Sequence, residues 1–426
     1  MSRRISLRRY YKRVAGGAIT ITCGATARSR TFVSLLVSWA VLRLAAPACA
    51  QAPAAAPRPI FPLESTWHAD LEGEPAAPLT MDASRVYVVL GTGKVTARSR
   101  ADGQELWTAP LETRQPVQSD GARVYVMAGD RIHALRVRDG SIAWTTLLGG
   151  APGPFVSMGG WIIASADRDL VALRATDGSE VWRRTLGAML ASTPDIEGSR
   201  AYAALADGRV VALRVETGEP EWERKLPGTP GGLLALSDRI FVGASDNFLY
   251  ALAPRDGTVL WRWRTAADVV GRPAADDRHV YFVSFDNVLR ALDRHTGAQR
   301  WRRPLAARYV AGPQAVAGMI MVPVPLGRLP FFLADTGTSA GEVDLPAPLV
   351  AAPTDIELSD LGARFYVATM DSAGVAQLHA FAPAGGTPLE PLVTAPGRPL
   401  WPEIPLPSRD LPVRLLALPA LPPRVG

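Results

Sequence analysis

The chain has 426 residues, 48% of them hydrophobic and 20% charged, with a formal net charge of +6. Residues 1–50 hold nine Arg or Lys and no acid; taking those nine from the 46 basic residues leaves 37 against 40 acids, a net of −3. The body of the chain therefore lacks the basic bias on which nucleic-acid binding depends, and no nucleic-acid partner is expected.

Residues 1–50 read as an export signal. A basic region (Arg3 to Arg13) precedes an apolar stretch, Thr31 to Leu42, and Ala48-Cys49-Ala50 sets small residues at the −3 and −1 positions of a cleavage after Ala50. A membrane span needs about 20 apolar residues, and Arg43 ends this run after 12. Both cysteines, Cys23 and Cys49, lie in this leader, so cleavage leaves no thiol for a disulfide, a metal or a nucleophile. The other outcome is lipidation of Cys49, although Ala46 stands where a lipobox prefers Leu. Membrane attachment is expected only through such an anchor. Residues 51–62 are Ala/Pro-rich and read as a semi-rigid linker.

A repeat follows. Six segments end alike, in Gly103…Trp107, Gly140…Trp144, Gly178…Trp182, Gly218…Trp222, Gly257…Trp261 and Gly297…Trp301, at Trp-to-Trp steps of 37, 38, 40, 39 and 40 residues. An alanine sits ten residues before each Trp, from Ala97 to Ala291. Inside each unit, short apolar runs such as Val280-Tyr281-Phe282 read as strands, and pairs such as Asp207-Gly208, Asp246-Asn247 and Asp286-Asn287 read as tight hairpins, since these residues tolerate positive φ. A proline precedes the first strand in most units (Pro116, Pro154, Pro194, Pro273, Pro313). Four short strands per unit make one blade of an all-β propeller. The glycine is expected at the sharp turn into the last strand, and the Trp as a blade-docking staple between neighbours.

The series decays after Trp301. The unit at 312–341 has Gly341 at the Trp position, and another unit runs from Pro353 to Gly386 with a longer hairpin near Asp371. Trp67, 40 residues before Trp107, belongs to a Trp strand with no blade before it, as needed if the N-terminal strand completes the last blade. This count predicts eight four-stranded antiparallel blades over residues 63–390; seven remain if the 312–341 unit does not form. The tail, 391–426, is proline-rich and reads as extended.

Ala291, Asp293, Thr296, Gly297 and Trp301 match every defined position of Ala-x-Asp-x-x-Thr-Gly-x-x-x-Trp, and here the chain resembles the pyrroloquinoline-quinone (PQQ) repeat family. The resemblance implies the propeller fold and leaves function open. One branch of the family, the quinoprotein dehydrogenases, would imply a PQQ- or other small-molecule-binding propeller with calcium. The blades here are evenly spaced, without the insertions, cysteine pair or carboxylate–amide cluster of such a site. The other branch, the propeller subunit of the outer-membrane β-barrel assembly machine (BamB), implies a non-catalytic periplasmic scaffold whose partner is a barrel-assembly subunit. The chain resembles this branch more closely, and no cofactor is expected. Its stretch Gly187–Pro194 is short and uncharged where that family carries a charged partner-binding loop, so no contact residue is transferred.

Other chemistry is sparse. His68, His133, His279, His295 and His379 are scattered, without metal-ligand spacing, and are expected at surface or turn positions. Gly91-Thr-Gly93-Lys94 resembles a phosphate loop in composition but joins two strands. Ser192-Thr193 and Ser284 have no identifiable His/Asp partner.

Overall fold

A computed structural model of the chain describes residues 62–384, apart from 270, 309–310, 317 and 352–363. The export signal with Cys49, nearly all of the linker and the proline-rich tail lie outside the described residues.

The described residues form eight four-stranded antiparallel sheets and no helix, the blades of a β-propeller. Blade 1 comprises Thr80–Met81, Arg85–Leu90, Lys94–Ser99 and Glu105–Ala109. Blades 2 to 6 occupy 118–147, 152–185, 195–225, 230–264 and 274–304. The first strands of blades 1 to 5 touch in turn, as do those of blades 6 and 7, so the first strands lie towards the axis and each fourth strand at the rim. Asn247 (φ 67°) and Asn287 (φ 57°) take the left-handed conformation that their hairpins demand. Pro154 lies within the first strand of blade 3, Pro152–Met158, in keeping with a short strand around the proline, at an irregularity in register where its missing N–H costs no ladder bond.

The ladder explains the ten-residue spacing. Each alanine sits directly across from its tryptophan on the neighbouring strand: Ala97 opposite Trp107, Ala172 opposite Trp182, Ala291 opposite Trp301. The small side chain leaves the indole free to lean out of its blade. There it lies flat on the motif glycine of the next blade. A Cβ built on Gly140 would stand 2.6 Å from Trp107, and the approach is between 2.4 and 2.8 Å for Trp67 on Gly103, Trp144 on Gly178, Trp182 on Gly218, Trp222 on Gly257, Trp261 on Gly297 and Trp301 on Gly337. Each indole Nε1 also donates to a carbonyl three residues before that glycine, as in Trp107 to Val137 (2.8 Å) and Trp301 to Ala334 (2.8 Å). Burying one indole contributes on the order of 4 kcal/mol before ordering entropy is subtracted.

The unit at 312–341 does form a blade, which decides for eight over seven. Blade 7 comprises Gln314–Val316, Met319–Met321, Arg328–Leu333 and Ser339–Asp344. Here the large and small partners have changed places across the ladder, Phe331 standing opposite Gly341. Blade 8 takes Leu349–Ala351, Phe365–Met370 and Ala376–Pro383 from one end of the chain and Leu63–Asp70 from the other, with Trp67 opposite Ala380. Because its third and fourth strands are not joined by a hairpin, blade 8 offers no motif glycine to blade 7. That seam is filled instead by Phe331, Phe365 and Phe381, with ring centroids 5.5 Å and 5.0 Å apart.

Two glycines separate backbone strain from docking. Gly121 (φ 81°) has nothing within 4 Å of an added Cβ, whereas Gly140 (φ 70°) faces Trp107. Gly121→Ala should cost about 1 kcal/mol, the left-handed penalty alone, and Gly140→Ala about 3 kcal/mol, because the indole must also lift. Urea unfolding of both variants measures the difference, and equal losses would refute the docking role.

Candidate functional site

The matched motif in blade 6 is spent on its own turn. The Asp293 carboxylate accepts the N–H groups of His295 (3.0 Å) and Thr296 (2.9 Å), the Thr296 hydroxyl (3.0 Å) and the Arg300 guanidinium (2.6 Å). Arg300 first, then these backbone donors, hold its pKa far below the ordinary carboxylate value. Gly297 closes the same turn by donating to the Asp293 carbonyl (2.8 Å), and Ala291 faces Trp301. Asp139 and Asp256 stand at the Thr296 position in blades 2 and 5 and accept the N–H two residues on, as Thr296 does from Ala298.

The hairpin acids are likewise engaged locally. Asp207 pairs with Arg209 (2.7 Å), Asp246 accepts the Tyr250 hydroxyl (2.5 Å), and Asp286 pairs with Arg290 (2.5 Å). Ser284, with none of its surface exposed, donates to Asp286 (2.5 Å) and accepts from Arg290 (2.8 Å), so its hydroxyl is tied into the hairpin. Gly91 to Lys94 is the turn between two strands of blade 1.

Two histidines correct the expectation of surface or turn positions. His279 (7% exposed) and His379 (4%) are buried within strands. The sheet tolerates them because each ring has a polar neighbour: the Tyr281 hydroxyl lies 3.2 Å from His279 Nδ1, and the Thr369 hydroxyl 2.9 Å from His379 Nε2. His68 stands directly opposite His379 across the closing ladder. Among the described residues, no group of three His, Cys, Asp or Glu is placed to hold a metal ion.

Polar groups converge in two places that the repeat does not explain. The first is an open cleft of about 560 Å³ on blades 6 and 7, lined by Arg278, His279, Asp293, His295, Arg300 and Asp335. Its charges are largely paired off, Arg278 with Asp335 (2.6 Å) and Arg300 with Asp293 (2.6 Å). The second is a clasp over three blades. Asp195 of blade 4, 4% exposed, accepts the Ala235 N–H of blade 5 (3.0 Å) and the Arg272 guanidinium (2.9 Å) from the segment entering blade 6. Burial raises the Asp195 pKa, against the pull of Arg272. The backbone of Arg272 is gripped between two glycines, since a Cβ on Gly232 or Gly312 would come within 2.3 Å or 2.1 Å of it. The sequence reading missed this clasp; the one trace of it was glycine at positions where the repeat asks for none.

The family model for the outer membrane protein assembly factor BamB matches three overlapping stretches, residues 64–157, 130–237 and 227–375. Among curated relatives, BamB of Yersinia pestis is 26% identical over 34% of this chain and 41% of its own length, and BamB of Alteromonas naphthalenivorans 29% identical over 37% and 43%. The matched part thus spans less than half of these relatives. A polyvinylalcohol dehydrogenase from Pseudomonas sp is 27% identical over 26% of the chain and 19% of its own length. Among solved structures, BamB of Moraxella catarrhalis superimposes with a TM-score of 0.60 at 18% identity, covering 74% of this chain and 97% of that one. A quinohemoprotein alcohol dehydrogenase of Pseudomonas putida gives 0.63 at 13% identity, covering 79% and 78%. At these identities the solved structures show the fold alone.

The buried histidine makes stability depend on pH. Burial first, and His68 second, bring the His379 pKa down to about 4, so the fold holds the neutral ring. Stability is full above the unfolded value near pH 6.5 and is lost as pH falls from there towards 4. Thermal melts between pH 7 and 4 should show a shallower fall for His379→Gln than for the parent; parallel curves would remove His379 as the cause.

Proposed function

The chain belongs to the family of the outer membrane protein assembly factor BamB, and from that premise we propose that it is an exported, non-catalytic propeller that holds a protein partner during assembly of outer-membrane β-barrels. The observation that carries this reading is the family match, which runs through all eight blades from residue 64 to 375. The spent state of the motif side chains supports it, because Asp293, Thr296 and the hairpin acids are occupied by turns and seams. A scaffold uses such a ring as a rigid frame and recognises its partner with loops.

In this reading, residues 1–50 direct export, residues 51–62 link the propeller to its point of attachment, and Cys49 is either removed with the signal or lipidated. The propeller occupies 63–390, and 391–426 forms an extended tail. Trp67, Trp107, Trp144, Trp182, Trp222, Trp261 and Trp301, with their glycines, serve as blade-docking residues and contact no partner. The relevant partner is the periplasmic part of a barrel-assembly subunit.

The likeness to a polyvinylalcohol dehydrogenase favours one other reading, a quinone-dependent oxidoreductase. Titration with PQQ and calcium separates the two: the scaffold reading expects no change in the quinone absorbance and no dye-linked oxidation of alcohols.

The deciding experiment is crosslinking in the producing cell followed by purification of the tagged full chain. We expect an outer-membrane barrel-assembly protein among the crosslinked species. Recovery of the chain uncrosslinked, with none of that machinery, would overturn the proposal. Palmitate labelling lost in Cys49→Ala would establish the anchor.

A further inference from the structure

The charges on the rim are segregated by blade. The outer strands of blades 5 and 6, Val259–Arg264 and Gln299–Pro304, together carry five arginines (Arg262, Arg264, Arg300, Arg302, Arg303) and no acid. Those of blades 7 and 8, Ser339–Asp344 and Leu63–Asp70, carry four acids (Glu342, Asp344, Glu64, Asp70) and no Lys or Arg. Blades 3 and 4 mix both signs within their outer strands, Glu180–Thr185 and Pro220–Lys225.

Isolated charges on an exposed strand edge serve to prevent unwanted pairing, and one arginine per strand would meet that need. Five on two adjoining strands exceed it. Arg262, Arg264 and Arg302 are exposed, and among the described residues none of them forms an ion pair; Arg262 lies over the Phe248 ring, 4.8 Å from its centroid. The same rim shows apolar groups to solvent: Val259 is 42% exposed and Leu260 47%. Arginines beside exposed Leu and Val match the chemistry of a bilayer interface. There guanidinium groups take phosphates through paired hydrogen bonds, while aliphatic groups enter the boundary beneath. An acidic protein surface would complement the arginines but leave Val259 and Leu260 facing water or a partner's charges.

We infer that the outer strands of blades 5 and 6 form a contact surface for a bilayer rich in anionic phospholipid, binding headgroup phosphates through Arg262, Arg264 and Arg302. This goes beyond attachment through an acyl anchor. The acidic rim of blades 7 and 8 is repelled by the same surface, so the ring stands edge-on with its two faces open. The inference is independent of the protein partner: failure to crosslink a barrel-assembly subunit leaves vesicle binding untouched.

The test uses the full chain carrying Cys49→Ala, so that no acyl chain contributes, in co-sedimentation with phosphatidylcholine vesicles containing or lacking phosphatidylglycerol. The triple variant Arg262→Ser, Arg264→Ser, Arg302→Ser is compared with a control that loses three other exposed arginines, Arg138→Ser, Arg214→Ser, Arg328→Ser, which are 69%, 49% and 70% exposed. Thermal melts verify that both remain folded. We expect binding only to the anionic vesicles, weakening with salt, and at least about tenfold weaker in the rim triple than in the control. Leu260→Ser should weaken binding with the charge unchanged. Equal binding by the rim triple and the control would overturn the inference. So would capture by soluble polyglutamate without capture by vesicles, which would instead mark the rim as a site for an acidic protein.

Discussion

The indole laid on a glycine of the next blade is the contact on which the ring depends. It demands a residue without Cβ at the receiving turn, a small residue across the ladder from the Trp, and a carbonyl within reach of Nε1. Each demand appears in the sequence at a set distance from the others, so one contact generates the whole repeat. The series of docks runs unbroken from Trp67 to Gly337. It stops at the one seam whose receiving blade is assembled from both chain ends and has no hairpin to present a glycine.

The same economy consumes most of the polar side chains. A tyrosine hydroxyl and an indole of one blade converge on a single carbonyl of the next, as Tyr281 and Trp301 do on Ala334 (3.2 Å and 2.8 Å). Turn aspartates cap backbone N–H groups, which would otherwise be left unsatisfied at the hairpins. What distinguishes this propeller from a generic one is therefore found where the repeat is broken or decorated: the Asp195–Arg272 clasp, the cleft between blades 6 and 7, and the uneven rim.

The fold was legible because the seam contact leaves a periodic trace in one dimension. Blade 7 was harder to read because Phe331 and Gly341 exchanged sides across the ladder: the seam volume survived while the motif did not. His279 and His379 were misjudged because a polar residue in an apolar run reads as exposed until its hydrogen-bond partner, Tyr281 or Thr369, is known in space. The rim asymmetry was hidden by averaging, since a net charge of −3 after residue 50 is compatible with a strongly basic arc beside an acidic one. Asp195 and Arg272 lie 77 residues apart in the chain, and no local spacing could pair them.

Closure by the N-terminal strand also sets the order of events in time. Thr66 and Ala380, hydrogen-bonded in the finished ring, are separated by 314 residues. A free loop of that length would oppose closure by on the order of 5 kcal/mol, and contacts of such separation slow folding. The intervening blades lessen this by stacking one after another from local hairpins, which brings the two ends round to meet. Until Ala376–Pro383 emerges, the strand Leu63–Asp70 waits with both edges unpaired. A chain delivered from its N-terminus thus carries its least protected segment first and secures it last, so any chaperone guarding the nascent protein has its longest task at residues 63 to 70.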